Sequence, residues 1–301
     1  MSERIYLEHF GLLEPPFSLT PNTGYFLASP GHREALNLLL FALRSGEGFV
    51  KVTGEVGTGK TLLCRKLMCQ LGSDFVTAYL PHPPTGADAL ISTVAEELGF
   101  EAPPDRNRAL RELTRLLVEM DGAGRRVVLL LDEAQVLPED ALEAVRLLTN
   151  IETEKTKLLQ VVLFGQPELD HRLAQASLRQ LRQRIPFAYR LRPLDRDELE
   201  VYVKHRLRVA GQRGSPLFTP AALDVLARAS GGIPRLVNVL AHKTLLAAWG
   251  RGERGAHAHH VRRAAADTEG AHRLRASRLG RLGSLGRRAG SNPRAGARSG
   301  A

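Results

Sequence analysis

The order of apolar runs along this chain predicts an α/β protein: a doubly wound parallel sheet with helices on both faces, followed by an all-helical region. Three observations carry that expectation. Short runs of aliphatic and β-branched residues alternate with stretches of helical apolar spacing as far as Arg192. One run, Val127-Val128-Leu129-Leu130-Leu131, is apolar throughout, as a central strand buried on both faces requires. Past Arg192-Pro193-Leu194-Asp195 the strand-like runs stop and only helical patterns remain.

Taken in order, residues 6–21 are rich in proline and aromatic residues and read as an extended segment packed onto a neighbouring surface. Phe10 and Phe17 within it have two readings, cover for a nucleotide base or a plug for the domain core. A helical pattern over 31–44 leads to a strand at 49–53, and helical spacing returns over 62–71. Residues 75–80 alternate as a strand and 86–98 read as a helix. Pro103-Pro104-Asp105 then breaks the chain, with Asp105 as N-cap of an amphipathic helix over 107–120. A strand at 126–131, a helix at 139–152, a buried strand at 158–165, a short arginine-bearing helix at 177–186 and a strand at 187–191 complete the alternation. Four helical patterns follow, over 195–209, 220–229, 234–249 and 258–267, with Thr219 and Pro220 as N-cap and first-position proline.

Between the strand at 49–53 and the next helix lies Gly54-Glu55-Val56-Gly57-Thr58-Gly59-Lys60-Thr61, which fits the phosphate-cradling pattern G-x-x-x-x-G-K-[ST] at every fixed position. The glycines let the backbone curl so that successive N–H groups form an anion nest, and the helix that follows aims its N-terminus at phosphate. The expected binding set runs from Gly54 through Leu62. Within it Lys60 reaches the β- and γ-phosphates and Thr61 ligates Mg²⁺. A chance glycine-rich turn is the alternative, and the strand before it and the helix after it argue against that.

The apolar strand at 126–131 ends in Asp132 and Glu133, a Walker B signature to match the Walker A loop. An acid at the carboxyl end of such a strand holds Mg²⁺, and the adjacent Glu133 polarises the water that attacks the γ-phosphate. Gln166, just beyond the strand at 158–165, is the candidate to touch the γ-phosphate or that water; otherwise it merely begins a loop. Arg179, Arg182 and Arg184 form either a solvated face or a group inserted into a neighbouring subunit's site. Arg235, in the first turn of a helix after Gly231-Gly232-Ile233-Pro234, is unfavourable for the helix dipole unless an anion compensates it. It therefore reads as facing back toward the nucleotide if the helical lid folds over it.

Composition bounds the rest. No apolar segment approaches the ~20 residues that span a bilayer and the start has no apolar signal core, so the expected location is cytoplasmic, or peripheral at the inner membrane. Cys64 and Cys69 read as buried thiols rather than a metal site or disulfide. The net charge of +10 invites a nucleic-acid reading, but eight arginines without a compensating acid lie in residues 270–301, leaving +2 for residues 1–269. That stretch, rich in Gly, Ala, Ser and Arg, reads as a disordered tail that touches acidic lipid, nucleic acid or an acidic partner, or does nothing specific. Nucleic acid as a partner of the whole chain is possible but not favoured.

Together these features resemble the AAA+ ATPases, and within them the group of the general secretion pathway protein A and MSHA-pilus biogenesis ATPases. The resemblance rests on FGLLEPPF at 10–17, GEVGTGKT at 54–61, LDEAQ at 131–135, LFGQPEL at 163–169, LRQRI at 181–185 and GGIPRLVN at 231–238, and it covers roughly residues 5 to 268. It implies an oligomeric, Mg²⁺-dependent ATPase that drives or gates assembly of a secretion or type IV pilus apparatus at the inner membrane. Gln166 resembles sensor 1, Arg184 or a neighbouring arginine the arginine finger, and Arg235 sensor 2. Many AAA+ proteins have Asn, Ser or Thr where Gln166 stands. Secretion ATPases of this group typically continue into a transmembrane segment and a peptidoglycan-binding domain, which implies that this chain is nearer the shorter pilus type. The expected units are a nucleotide-binding domain over 1–194, a helical lid over 195–268 and the tail over 269–301. The rival is an ATP-dependent DNA-binding regulator resembling the transposition target-selection ATPases.

Overall fold

The structure is a computed structural model that describes residues 2–20, 22–154 and 156–272; the predicted tail lies, from residue 273 onward, outside the described residues. β3 (Arg126–Leu131) buries every residue after Arg126, and its side chains divide by parity. Val127, Leu129 and Leu131 enter one apolar cluster, while Val128 and Leu130 enter another. A strand with two buried faces must lie inside a sheet, and each such side chain gains roughly 1.5–3 kcal/mol by leaving water. The sheet runs β2 (Phe75–Leu80), β3, β4 (Leu159–Gly165), β1 (Phe49–Gly54), β5 (Phe187–Leu191), with every neighbouring pair parallel. Register pairs Thr53 with Gly165 and Leu131 with Leu163, so β1, β3 and β4 finish close to one level.

Helices α2 (Pro30–Arg44) and α3 (Lys60–Gln70) cover one face; α4 (Ala87–Glu97), α5 (Arg106–Gly122) and α6 (Glu139–Leu148) cover the other. Asp105 caps α5 through Arg108 N–H at 2.8 Å, as its sequence position predicts. α6 stops at Leu148, short of the expected residue 152. A turn at Thr149–Asn150 and an antiparallel bridge between Glu152 and Lys157 carry the chain back to β4. Beyond β4 come α7 (Pro167–Leu173) and α8 (Arg179–Gln183), and beyond β5 the helical region of α9 (Arg196–Val209), α10 (Pro220–Ser230), α11 (Pro234–Trp249) and α12 (Ala258–Ala266).

The N-terminal segment differs from the extended form expected, because it opens with α1 (Ser2–Phe10). Tyr6 and Phe10, four residues apart, share one side of a helix and meet edge to face at 5.7 Å. The prolines that signal extension come only after the chain turns at Gly11. Phe10, Leu12, Phe17 and Tyr25 are buried with residues of α9–α12, and the Phe17 and Phe218 rings lie 6.1 Å apart. These aromatic side chains are therefore spent in the core of the helical region and do not line a nucleotide slot. Buried Arg206 fastens the same segment by donating to Pro16 O (2.5 Å) and Ser18 O (3.2 Å). Cys64 is buried as expected, whereas Cys69 is exposed, being five residues on and so off that helical face. Among the described residues no helix is long and apolar enough to cross a membrane.

Candidate active site

The glycine loop joins β1 to α3, whose first residue is Lys60. Lys60 is 5% exposed, and its ammonium donates to Gly54 O (2.8 Å) and Glu55 O (3.1 Å), so it is held inside its own loop. Burial pushes its pKa below the usual lysine value, against the opposing pull of Glu133 and Asp132. Glu55 and Val56 are exposed at the rim, Thr58 is buried, and Thr61 and Leu62 are half-buried in the first turn of α3.

Two further groups brace this loop. Arg235 N–H, in the first turn of α11, donates to Gly57 O at 3.1 Å, and a Cβ on Gly57 would stand 2.5 Å from the Arg235 Cβ. Gly57, at φ +82, therefore admits the helix end directly onto the loop. The turn before α11 is fixed in turn by Gly232, at φ +75, where a Cβ would meet Leu194 O at 2.0 Å; Leu194 N donates to Gly232 O at 2.9 Å. On the other side His32 is buried beneath the loop, with its Nε2 3.0 Å from Thr58 O and its Nδ1 2.7 Å from Ser29 Oγ. Burial lowers the His32 pKa, and a neutral ring with Nε2–H donating to Thr58 O and Nδ1 accepting from Ser29 satisfies both contacts. No sequence pattern marked His32; its position in the first turn of an apolar helix reads as packing.

The acids come from the end of β3. Thr61 Oγ1 donates to Asp132 Oδ2 at 2.6 Å, and Glu133 N–H donates to Asp132 Oδ1 at 2.9 Å. Burial raises the Asp132 pKa, although both of these hydrogen bonds oppose the rise. Glu133 stands at φ +50, a left-handed conformation unusual for a residue with a side chain and found where surroundings impose it. Its Oε2 accepts from Gln135 Nε2 (2.6 Å) and Gln166 Nε2 (3.1 Å). Burial alone would raise its pKa, but the two amides together with Lys60 and His82 hold it below the usual glutamate value.

Gln135 is the residue the motifs left unassigned. Besides reaching Glu133, its Oε1 accepts from Gln166 N–H at 3.0 Å and its main-chain oxygen from Arg172 at 2.5 Å. Arg172 lies on α7, which also ties back to β1: Asp170 pairs with Lys51 and accepts from Thr53 Oγ1 at 3.1 Å. The short helix after Gln166 thus locks the tips of β1 and β4 and the turn after β3 into one arrangement. Its seven residues gave too little periodicity to be read.

The structure therefore brings together Gly54 through Leu62, Asp132, Glu133 and Gln166, with Arg235 against the loop. It does not bring in Arg184, which follows α8 and, like Arg179 and Arg182, is exposed with no ion-pair partner among the described residues. Loop, acids and polar tip occupy the carboxyl ends of three adjacent strands, β3, β4 and β1, where open parallel sheets bind ligands.

Comparison with known proteins agrees with this geometry. A family model for the AAA domain matches residues 43–173. The chain is 48% identical over 252 residues to general secretion pathway protein A of Aeromonas hydrophila, an alignment covering 82% of this chain and 46% of that protein. The chain thus spans about half the length of that curated relative. Among solved structures it is similar to the ORC2 protein of Aeropyrum pernix in its ADPNP and ADP complexes (TM-score 0.63, 18% identity, 87% of this chain and 73% of that one). It is also similar to CDC6p of Pyrobaculum aerophilum (TM-score 0.63, 20% identity, 84% and 70%). At these identities the likeness shows the fold. Fold and site define a P-loop protein of the AAA class. Within that class its similarity is to general secretion pathway protein A, over the part of that protein which this chain spans.

Proposed function

We infer that this chain hydrolyses ATP and that the cycle drives or gates assembly of a secretion apparatus or a type IV pilus of the MSHA kind, at the inner membrane. The observation that carries the hydrolytic reading is the meeting of loop and acids: Thr61 bonded to Asp132, and beside them Glu133 held ionised by Gln135 and Gln166. A loop that only bound nucleotide would need no carboxylate oriented in this way. The relative named for general secretion supports the process, and its greater length leaves the choice between secretion and pilus to experiment.

The residues fit a magnesium ion, since Thr61 and Asp132 offer hard oxygen ligands and Asp132 is a buried carboxylate whose charge a cation would stabilise. Bound there, Mg²⁺ would neutralise charge on the β- and γ-phosphates. Lys60 exchanges its two carbonyl partners for phosphate oxygens, while the backbone N–H groups from Gly54 to Leu62 cradle the rest. Glu133 accepts a proton from the attacking water, and Gln166 orients that water or the γ-phosphate. In this reading the nucleotide domain lies within residues 1–194 and residues 195–268 form the lid, with the N-terminal segment through Tyr25 packed into the lid's core. Arg235 reports lid position at the loop.

Arg184, or Arg179 or Arg182 beside it, acts on the site of the next subunit in a homo-oligomer. The test is subunit mixing. Arg184→Ala and Glu133→Gln chains, each inactive alone, should regain part of the ATPase activity together, because the mixed interfaces include one with both groups intact. No recovery at any ratio contradicts a finger supplied between subunits. The DNA-regulator reading rests on the basic tail, which lies from residue 273 onward outside the described residues, and on the motifs shared with the transposition target-selection ATPases; salt-dependent DNA binding that vanishes with residues 270–301 would leave the core no DNA role.

A further inference from the structure

We propose that Glu253, His259 and His260 form a binding site for a divalent transition metal, zinc by preference, that clamps the end of the helical region farthest from the nucleotide. The three come from the sequence Gly252-Glu253-Arg254-Gly255-Ala256-His257-Ala258-His259-His260, which spans the turn after α11 and the first turn of α12. One potential ligand atom from each lies within 4.8 Å of the other two. Glu253 Oε1 is 3.5 Å from His260 Nε2 and 3.8 Å from His259 Nε2. Ligands bound at about 2.0–2.1 Å around a tetrahedral ion stand roughly 3.3–3.4 Å apart, so the two carboxylate–imidazole separations need to contract by no more than about half an ångström, and the two imidazole nitrogens lie within 4.8 Å of each other.

The independent sign of a ligand is His260. It is 1% exposed, and its Nε2 has no hydrogen-bond partner. A buried polar nitrogen without a partner is costly, and here it points at a carboxylate too distant to accept its proton.

One contact opposes binding. His257 N–H donates to His260 Nδ1 at 3.2 Å, which places the ring proton on Nε2. A metal at Nε2 moves that proton to Nδ1 and gives up this long capping bond. One weak hydrogen bond is small against coordinate bonds from two imidazoles and a carboxylate. Two imidazoles and one carboxylate suit zinc and leave a fourth position for water. His257 lies to one side, its Nε2 3.8 Å from the other Glu253 oxygen, and Arg251 adds positive charge nearby. The backbone is already gathered here, since Glu253 O is 3.0 Å from His9 Nε2 of α1. The 16 residues of α11 separate the cluster from the glycine loop by roughly 24 Å, at 1.5 Å per residue. A metal here would hold α1, the α11–α12 turn and α12 together at the far end of the helix that carries Arg235.

The test uses the full chain, purified without a histidine tag, stripped with EDTA and kept free of nucleotide. Zn²⁺ added near neutral pH should bind at one per chain in calorimetry and raise the thermal midpoint. His259→Ala, at an exposed position, and Glu253→Gln, an isosteric change at a half-buried one, should leave the midpoint of the stripped protein near the parent value. Each should weaken Zn²⁺ binding by more than the roughly 10–100-fold that follows loss of a mere outer partner, and abolish the rise. Absence of one-to-one binding in the parent chain, or equal Zn²⁺ affinity in the parent and both variants, overturns the proposal.

Discussion

The two halves of the proposed site are built by different means. The phosphate half, Gly54 to Leu62, is one continuous stretch positioned through main-chain atoms: Lys60 on two carbonyls, Arg235 N–H on Gly57 O, His32 on Thr58 O. The water half is assembled from side chains of separate elements. Glu133, in a conformation its own backbone disfavours, is held by an amide from the turn after β3 and another from the tip of β4, and α7 fixes both in place. Substitutions on the phosphate side should therefore act on binding and lid docking. Those on the water side should act on turnover.

Gln135→Leu probes the water half and should have the largest effect among the supporting residues. It removes a hydrogen bond to a carboxylate, worth about 1.5–3 kcal/mol, or roughly 10–100-fold in turnover, while leaving nucleotide affinity near the parent value. Because the lost amide helped hold Glu133 below its ordinary pKa, the acid limb of the pH–rate profile should move to higher pH. An unmoved limb would show that Gln135 does not tune Glu133.

Gly57→Ala probes the phosphate half. The strained φ and the 2.5 Å approach to Arg235 should cost about 1–3 kcal/mol, seen as a lower thermal midpoint and weaker nucleotide binding. Arg235→Ala, which keeps the Cβ and the backbone bond to Gly57, should leave the midpoint near the parent value and slow turnover. If the two variants behaved alike, the contact would matter for charge and not for docking.

The smallest effect is expected at His32. Burial lowers its pKa, so as pH falls the unfolded chain takes up the proton before the folded one does. Its stabilisation is therefore complete above the ordinary value of 6.5 and is lost on going down toward the lower folded value. His205 and His260 carry the same sign, so the measurement is the difference between parent and His32→Gln in denaturant unfolding across this range. That difference should show a slope of at most ~1.4 kcal/mol per pH unit; a flat difference would mean that the ring does not stay neutral beneath the loop.

The same contrast decides what the sequence could reveal. The phosphate half is legible because its chemistry is local: glycines, lysine and threonine at fixed spacing between a strand and a helix. The strands are legible because two-sided burial leaves continuous apolar runs, as in β3. Asp132, Glu133 and Gln166 follow from their places at strand ends. Gln135 and Arg172 do not, because their roles depend on which strands are neighbours, and β4 lies between β1 and β3 although it follows both in the chain. α1 escaped because proline and aromatic content outweighed the i,i+4 spacing of Tyr6 and Phe10. His32 escaped because a histidine in the first turn of an apolar helix has nothing in its surroundings to separate support of a loop from packing.

The central claim is that binding and turnover are divided between the two halves, and one paired measurement tests it: nucleotide affinity and phosphate release on the same preparations of the parent chain, Lys60→Ala and Glu133→Gln. Glu133→Gln should bind ATP as tightly as the parent and release phosphate slower by about 10²–10⁴-fold, while Lys60→Ala should lose affinity. Equal loss of binding in both variants, or phosphate release by Glu133→Gln at the parent rate, would contradict it.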